Sequence, residues 1–329
     1  MANLRAGLIG LGMMGRHHAR VLRQLDGVDL VAVADPAGDP HHVAGPLEVL
    51  PDVHALIAAG IDYAMVAAPT RFHTETGLAL AEAGVHTLIE KPLASDTAGA
   101  QRLADAFEAA GLVGAVGHIE RYNPALQSLR ARLEAGELGE VYQIATRRQG
   151  PFPSRIADVG VVKDLATHDI DLTAWVAQRE FTSVAARTAY KSGREHEDLV
   201  AVTGSLTGPV VTNHLVNWLS PMKERVTVVT GEKGAFVADT LLADLTFHAN
   251  GEIATRWDDV AQFRGVSEGD MIRFAIDKPE PLRTEHENFR DAILGQDTDI
   301  VTMAQGLNTV RVAEAVLESA ATGRTVELR

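Results

Sequence analysis

Not one cysteine occurs among the 329 residues. That excludes a disulfide framework, a thiolate nucleophile and a cysteine-ligated metal, and it suits a reducing compartment. Positive charge is also short: 30 Lys and Arg stand against 44 Asp and Glu, a formal net charge of −14. Such a balance argues against nucleic acid or an anionic membrane as the main partner, while leaving room for a local basic pocket that takes a small anion. No apolar run approaches the roughly 18 residues of a spanning helix, and the N-terminus lacks the basic, apolar and cleavage-site succession of an export signal. Internal repeats and low-complexity tracts are missing too. The expectation is a soluble, unexported, cytoplasmic protein, long enough for two domains that each bury a core.

What is present begins with an apolar run, Arg5 to Ile9, that leads into Gly10-Leu11-Gly12-Met13-Met14-Gly15. Behind it Met14, His18, Val21, Leu22 and Leu25 recur at helical spacing, so the reading is strand, glycine turn, helix. Further buried strands are expected at Asp29 to Ala34, Tyr63 to Ala68, His86 to Ile89 and Leu112 to Val116. Between them lie helical patterns, clearest at Ala100, Leu103, Phe107 and Ala110, with Ser95 or Asp96 as cap and Gly111 as terminator. This alternation implies a doubly wound parallel sheet, a Rossmann-type domain over residues 1–119. In the glycine motif the first glycine permits a tight turn, the second lets the backbone approach a pyrophosphate, and the third allows helix and strand to pack closely. Asp35, ending the second strand, is placed to accept hydrogen bonds from a ribose. Its carboxylate repels a 2′-phosphate and no Lys or Arg follows in DPAGDPHH, so NAD is favoured over NADP.

Ligands of such sheets lie across the carboxyl ends of the strands. Two further ends are therefore informative: AAPTRFHTE, with Pro69, Thr70 and His73, and IEKPLA, where an apolar strand stops on Glu90, Lys91 and Pro92. The expected cofactor set is Gly10, Gly12, Met13, Met14, Gly15, Asp35, Pro69, Thr70, His73, Glu90, Lys91 and Arg121.

From residue 120 to 329 the rhythm changes to an α/β domain. A helix from Pro124 to Glu134 precedes a strand at Val141 to Arg147, and from Thr182 to His248 most segments alternate as strands of an open, mostly antiparallel sheet. A final helix places Met303, Leu307, Val310, Ala313 and Leu317 on one face. The stretch VVKDLATHDIDLTAWV is a second chemical centre: in a helix Asp164 and His168 lie one above the other, with Asp171 a turn further on. A surface ion pair, a metal pair and a base with its orienting acid are the competing readings. Metal is the weakest, because no further ligands are spaced to complete a site and the doublets His17-His18 and His41-His42 need not converge.

GLGMMG, APTRFH, EKPLA and DLATHDIDL, in this order and spacing, resemble the oxidoreductase family of glucose-fructose oxidoreductase and inositol 2-dehydrogenase. The resemblance implies an NAD(P)-binding Rossmann domain and a second domain whose open sheet mediates homo-oligomerisation, as a dimer or tetramer. It carries Lys91, Asp164 and His168 onto the family's catalytic positions and has Pro92 follow a cis bond. GHIERYNPAL, TRRQGPFPSRIADVGVVKDLATHDID and WLSPMKERVTVVTGEKG are similar to a narrower group acting on UDP-N-acetylglucosamine and its uronate relatives at C3. Arginine forks suit a diphosphate or carboxylate. Arg148, Arg155 and Lys223 are accordingly expected at the substrate beside Lys91, Asp164 and His168, with Arg225 as a further cation. Strand alternation turns Arg147 and Arg148 to opposite faces, so at most one of them touches substrate. His168 serves as base and Lys91 stabilises the alkoxide, or a desolvated Lys91 is itself the base; the sequence leaves both open. Inositol, another polyol or a monosaccharide as substrate, and a catalytically silent NAD(P)-binding regulator, are the alternative functions.

Overall fold

The computed structural model describes residues 3–152, 159–251 and 267–328. They divide into two compact units, Met1–Ile119 with Glu280–Glu314, and Glu120–Pro279 with Ala315–Arg329.

The first unit opens with β1 (Leu4–Ile9), α1 (Met13–Leu22), β2 (Val28–Ala34), β3 (Val49–Leu50), α2 (Val53–Ala58), β4 (Tyr63–Val66), α3 (His73–Glu82), β5 (His86–Glu90), α4 (Thr97–Ala110) and β6 (Gly114–Gly117). The strands pair in parallel in the order β3-β2-β1-β4-β5-β6. Every residue of β4 is buried, as expected of a strand covered on both faces by crossover helices. Local chemistry sets the helix ends. Asp52 accepts the N–H of Ala55, Asp96 rather than Ser95 accepts that of Gly99, and Gly111 closes α4 in the left-handed region. Strand order reverses between β1 and β4, which opens a crevice at the carboxyl ends of the central strands.

The second unit holds α5 (Pro124–Glu134), β7 (Val141–Pro151), a π-helical turn over Val162–Ala166, α6 (Thr167–Ala177), β8 (Phe181–Ala189), β9 (Leu199–Leu206), β10 (Val211–Asn217), β11 (Leu219–Gly231), β12 (Gly234–Asp239), β13 (Asp244–Gly251) and β14 (Ser267–Arg273). The chain then forms α7 (Pro281–Ile293), α8 (Met303–Thr322) and β15 (Val326–Glu327). The nine-stranded sheet runs β14-β13-β12-β11-β7-β10-β9-β8-β15. Only β7 and β10 pair in parallel; the other neighbours are antiparallel. Along β7, Ile144, Thr146 and Arg148 turn inward while Arg147 is exposed, the alternation the sequence implies.

Two features depart from expectation. The strand β3 has only two residues, too short to carry a pattern. More importantly, residues 280–314 belong to the first unit and not, as a boundary at 119/120 implies, to the second. The reason is apolar burial. Phe289 packs among Leu8, Tyr63 and Met65 on one side of the parallel sheet. Val301, Met303, Leu307 and Val310 join Leu93, Leu103, Phe107 and Val116 on the other. Among the described residues no helix is long and apolar enough to cross a membrane.

Candidate functional site

In the first unit the glycine turn links β1 to α1. Gly10 has φ +91, and a Cβ there would lie 2.6 Å from the Ala67 carbonyl carbon. A Cβ on Gly15 would lie 2.0 Å from the Gly10 oxygen, whereas one on Gly12 would meet nothing within 4 Å. Backbone crowding thus explains the outer two glycines, and the middle one faces open space. Gly12 is also the N-cap of α1 and brings no side-chain hydrogen bond, so the first N–H groups of the helix are left for a ligand. Asp35 Oδ2 accepts the N–H of Leu11 at 2.8 Å and Oδ1 that of Ala37 at 2.8 Å. The carboxylate is thereby anchored beside the turn, and each oxygen keeps a second lone pair for a ribose hydroxyl. These features fit a dinucleotide: pyrophosphate at Gly12 and the helix terminus, adenosine ribose at Asp35. Met13 and Pro69 are exposed, and Met14 and Thr70 half-buried.

Lys91 follows β5, half-buried, with the Lys91-Pro92 bond cis. Its backbone is fixed from both sides. Glu90 Oε2 accepts the Lys91 N–H at 3.0 Å. On the far side the Pro92 carbonyl lies 2.9 Å from His73 Nδ1, and His73 Nε2 is 2.8 Å from the Ala68 carbonyl. Two carbonyls can only accept, so a neutral ring donates to one of them at a time. Burial pulls the His73 imidazole below its ordinary value, against the neighbouring carbonyls and Glu90. His73 and Glu90 were both expected at the cofactor, but their side chains turn inward: each bonds the protein's own backbone around Lys91. For Glu90, burial acts to raise the carboxyl, and His18 and Lys91 outweigh it and leave it below the usual value.

In the second unit Asp164 is buried within the π-helical turn and His168 is half-buried at the start of α6. The helix is therefore not α-helical throughout, as the spacing implied. A π turn bonds i to i+5 and is frequent at functional sites. Its N-terminus is capped from the segment before β9: Glu197 Oε1 accepts the N–H of Val162 at 3.0 Å, and the Glu197 carbonyl that of Val161 at 3.0 Å. A Cβ on Gly160 would fall 2.1 Å from the Glu197 carboxylate, so only glycine admits this cap.

Two arginines expected at ligands are instead committed within the unit. Arg148 donates through Nε to Asp169 at 2.8 Å and through Nη1 to Glu120 at 2.9 Å, and the side chains of all three are buried. Arg121, expected at the cofactor, forms a buried fork with Asp171, at 2.8 Å and 2.7 Å. A buried guanidinium demands such partners, and the acids of α6 provide them. Both arginines thus brace α6 from β7 and from the turn before α5. Arg225 on β11 reaches Glu120 at 3.2 Å with about a third of its side chain exposed, 34%. Burial would raise the Glu120 carboxyl, but Arg148 and Arg225 prevail and hold it down. Lys223 is exposed on the same strand, Arg147 pairs with Glu224, and Arg155 lies outside the described residues.

Nothing local in the sequence marks Glu120, Asp169 and Glu197 as partners, and His18 stands there only as a helix-face or doublet residue. A polar residue on the apolar stripe of α1 is the one signal that was available for it. Among the described residues no group of three or more His, Asp or Glu is set to hold a metal ion.

Residues 4–118 match the oxidoreductase family's NAD-binding Rossmann fold, and residues 130–328 its C-terminal alpha/beta domain. The UDP-N-acetylglucosamine 3-dehydrogenase of Acidithiobacillus ferrooxidans is 37% identical over 191 residues, 56% of this chain and 58% of that one. Inositol 2-dehydrogenase 2 of Saccharopolyspora erythraea is 27% identical over 336 residues, 98% of this chain and 94% of the other. In the first comparison, then, the match spans little more than half of the relative's length. A solved structure of the Acidithiobacillus enzyme superposes with TM-score 0.83 at 27% identity, covering 98% of this chain and 99% of that one.

Proposed function

The chain belongs to the Gfo/Idh/MocA oxidoreductase family, and from that premise we propose that it is an NAD-dependent dehydrogenase oxidising a secondary hydroxyl of a sugar, C3 of a UDP-N-acetylhexosamine or its uronate. The observation that carries the chemistry is the backbone of Lys91, held between Glu90 and His73 at the carboxyl end of β5. Nicotinamide, when bound, supplies the hydride acceptor. The glycine turn and the terminus of α1 hold the pyrophosphate, and Asp35 selects the unphosphorylated ribose. His168 takes the hydroxyl proton, Asp164 orients its ring, and Lys91 hydrogen-bonds the same oxygen as negative charge develops there. Arg225 and Lys223, the cations of β11 with exposed surface, are offered to the anionic part of the substrate.

The match to a UDP-N-acetylglucosamine 3-dehydrogenase supports the nucleotide sugar. A second reading, an inositol dehydrogenase, is favoured by the relative that matches nearly end to end. NADH formation measured over UDP-sugars, the corresponding free sugars and inositols decides between them, with 2-oxoglutarate present to reoxidise retained cofactor. Turnover of UDP-N-acetylglucosamine without turnover of N-acetylglucosamine is the expected result. Turnover of myo-inositol alone overturns the nucleotide-sugar reading, and NADP binding as tightly as NAD overturns the role of Asp35.

A further inference from the structure

The apolar stripe of α1 carries one polar side chain, and it is fully buried: His18. Its Nε2 lies 2.9 Å from Glu90 Oε1, and its Nδ1 2.8 Å from Nε2 of His286 on α7. The other Glu90 oxygen holds the N–H of Lys91. A carboxylate only accepts, so His18 Nε2 bears a proton and donates it to Glu90, while one of His18 Nδ1 and His286 Nε2 donates to the other. Glu90 thus accepts from His18 Nε2–H through one oxygen and from the Lys91 N–H through the other.

Glu285, next to His286, is buried, and neither of its oxygens has a hydrogen-bond partner among the described residues. Burial, with the charge of Glu90, pushes its carboxyl well up, and burial with His18 pushes His286 well down. Both groups are therefore neutral, and Glu90 carries the negative charge of this cluster. A structural filler would need none of this. Val21, Leu22 and Leu25 fill the neighbouring positions with hydrocarbon, which needs no hydrogen-bond partner.

We propose that His18 is a positioning residue for the Lys91 turn: it holds the Glu90 carboxylate in the orientation that fixes the Lys91 backbone, and His286 holds the far side of its ring. The inference rests on the reading of Lys91 as a catalytic residue and adds to it a support reaching through α1 to α7.

The test uses the full-length protein and the variants His18→Phe, His18→Gln and Lys91→Met. One arm needs neither cofactor nor substrate: ¹⁵N-histidine NMR of the free protein is expected to show His18 Nε2 protonated and both of its ring nitrogens hydrogen-bonded. A His18 Nε2 without a proton overturns the proposal. In the second arm, NADH affinity and the turnover of UDP-N-acetylglucosamine or myo-inositol are measured. His18→Phe is expected to lower kcat by about tenfold or more, since displacement of a reacting group by an ångström is that costly, with NADH affinity within about twofold. Its kcat–pH profile should gain an acid limb. Glu90, deprived of its donor, then titrates upward among the groups that face it: Glu285 and His286 from α7, His73 from α3, and the adjoining Lys91. His18→Gln keeps an amide donor and should restore most of the rate. A folded His18→Phe with normal kcat and profile, beside a dead Lys91→Met, overturns this inference alone. An active Lys91→Met removes the catalytic reading on which it stands. Should His18→Phe not fold, failure of His18→Gln to keep its rate and pH profile counts against the proposal, as an unprotonated His18 Nε2 does.

Discussion

Lys91 and His168 are proposed to act on one oxygen in different capacities, and single replacements separate them. Lys91→Ala and His168→Ala should each reduce kcat by roughly 10²–10⁴-fold, with NADH affinity nearly unchanged, as read by fluorescence titration. Near-normal turnover in either removes that residue from the mechanism. Glu285 offers a residue-scale test of stability. Its folded pKa is raised well above the ordinary carboxyl value, so unfolding releases a proton once the pH exceeds about 4.5, and stability declines as pH rises through the folded pKa. Glu285→Gln should therefore raise the melting temperature at pH 7 to 8 and change it little near pH 4. A loss at neutral pH would show that the carboxyl is charged or partnered in the native state. At this scale the sequence shows residue type, and the catalytic roles of Lys91, Asp164 and His168 are proposals on that basis. What was not legible was partnership. Arg121 and Arg148 look like ligand forks until Asp171, Asp169 and Glu120 are found beside them, and such partners, 50, 21 and 28 residues away, leave no local trace.

Elements follow from caps and periods where the pattern is long enough. Pro124 to Glu134 reads correctly at both ends because Asn123 caps it and Pro124 occupies its first turn. The π-helical turn at Val162–Ala166 leaves the same side-chain periodicity as an α-helix over so short a span, so the sequence gives no warning of it. Its capping by Glu197 is testable. Glu197→Ala removes an N-terminal acceptor and should cost about 1 kcal/mol, seen in thermal or urea unfolding, and should lower kcat by disturbing the entry to Asp164. The glycine turn gives a sharper expectation. Gly15→Ala sets a methyl against the Gly10 carbonyl and should abolish NADH binding, whereas Gly12→Ala should fold normally and weaken NADH through steric intrusion alone. Equal unfolding of both variants would contradict the open face at Gly12.

The molecule as a whole carries several imidazoles that burial keeps uncharged, and this shapes its acid limit. His73 and His286 are lowered, and His214, enclosed beneath the open sheet with Thr146 as partner, is lowered to about 4. Each contributes fully above the unfolded value near 6.5 and loses its contribution as pH falls toward its folded value, because the unfolded chain binds the proton first. For His214 that window runs from about 6.5 to about 4 and corresponds to at most about 3 kcal/mol. Melting temperature should accordingly fall across it, and His214→Phe should flatten the slope; an unchanged slope would show that His214 does not carry it. The two-part architecture was readable from the switch between alternating strand-helix and strand-strand rhythm. The return of residues 280–314 was not, since an amphipathic helix does not declare which apolar surface it covers. That return has a consequence for synthesis. A nascent chain emerging from the ribosome exhibits the complete parallel sheet by Gly117, yet Phe289, Val301, Met303, Leu307 and Val310 are still to be translated. The nucleotide-binding half must then wait, with sticky flanks, while the other half is made. A chaperone should therefore bind a stalled chain ending near residue 150 and release one that has passed residue 314.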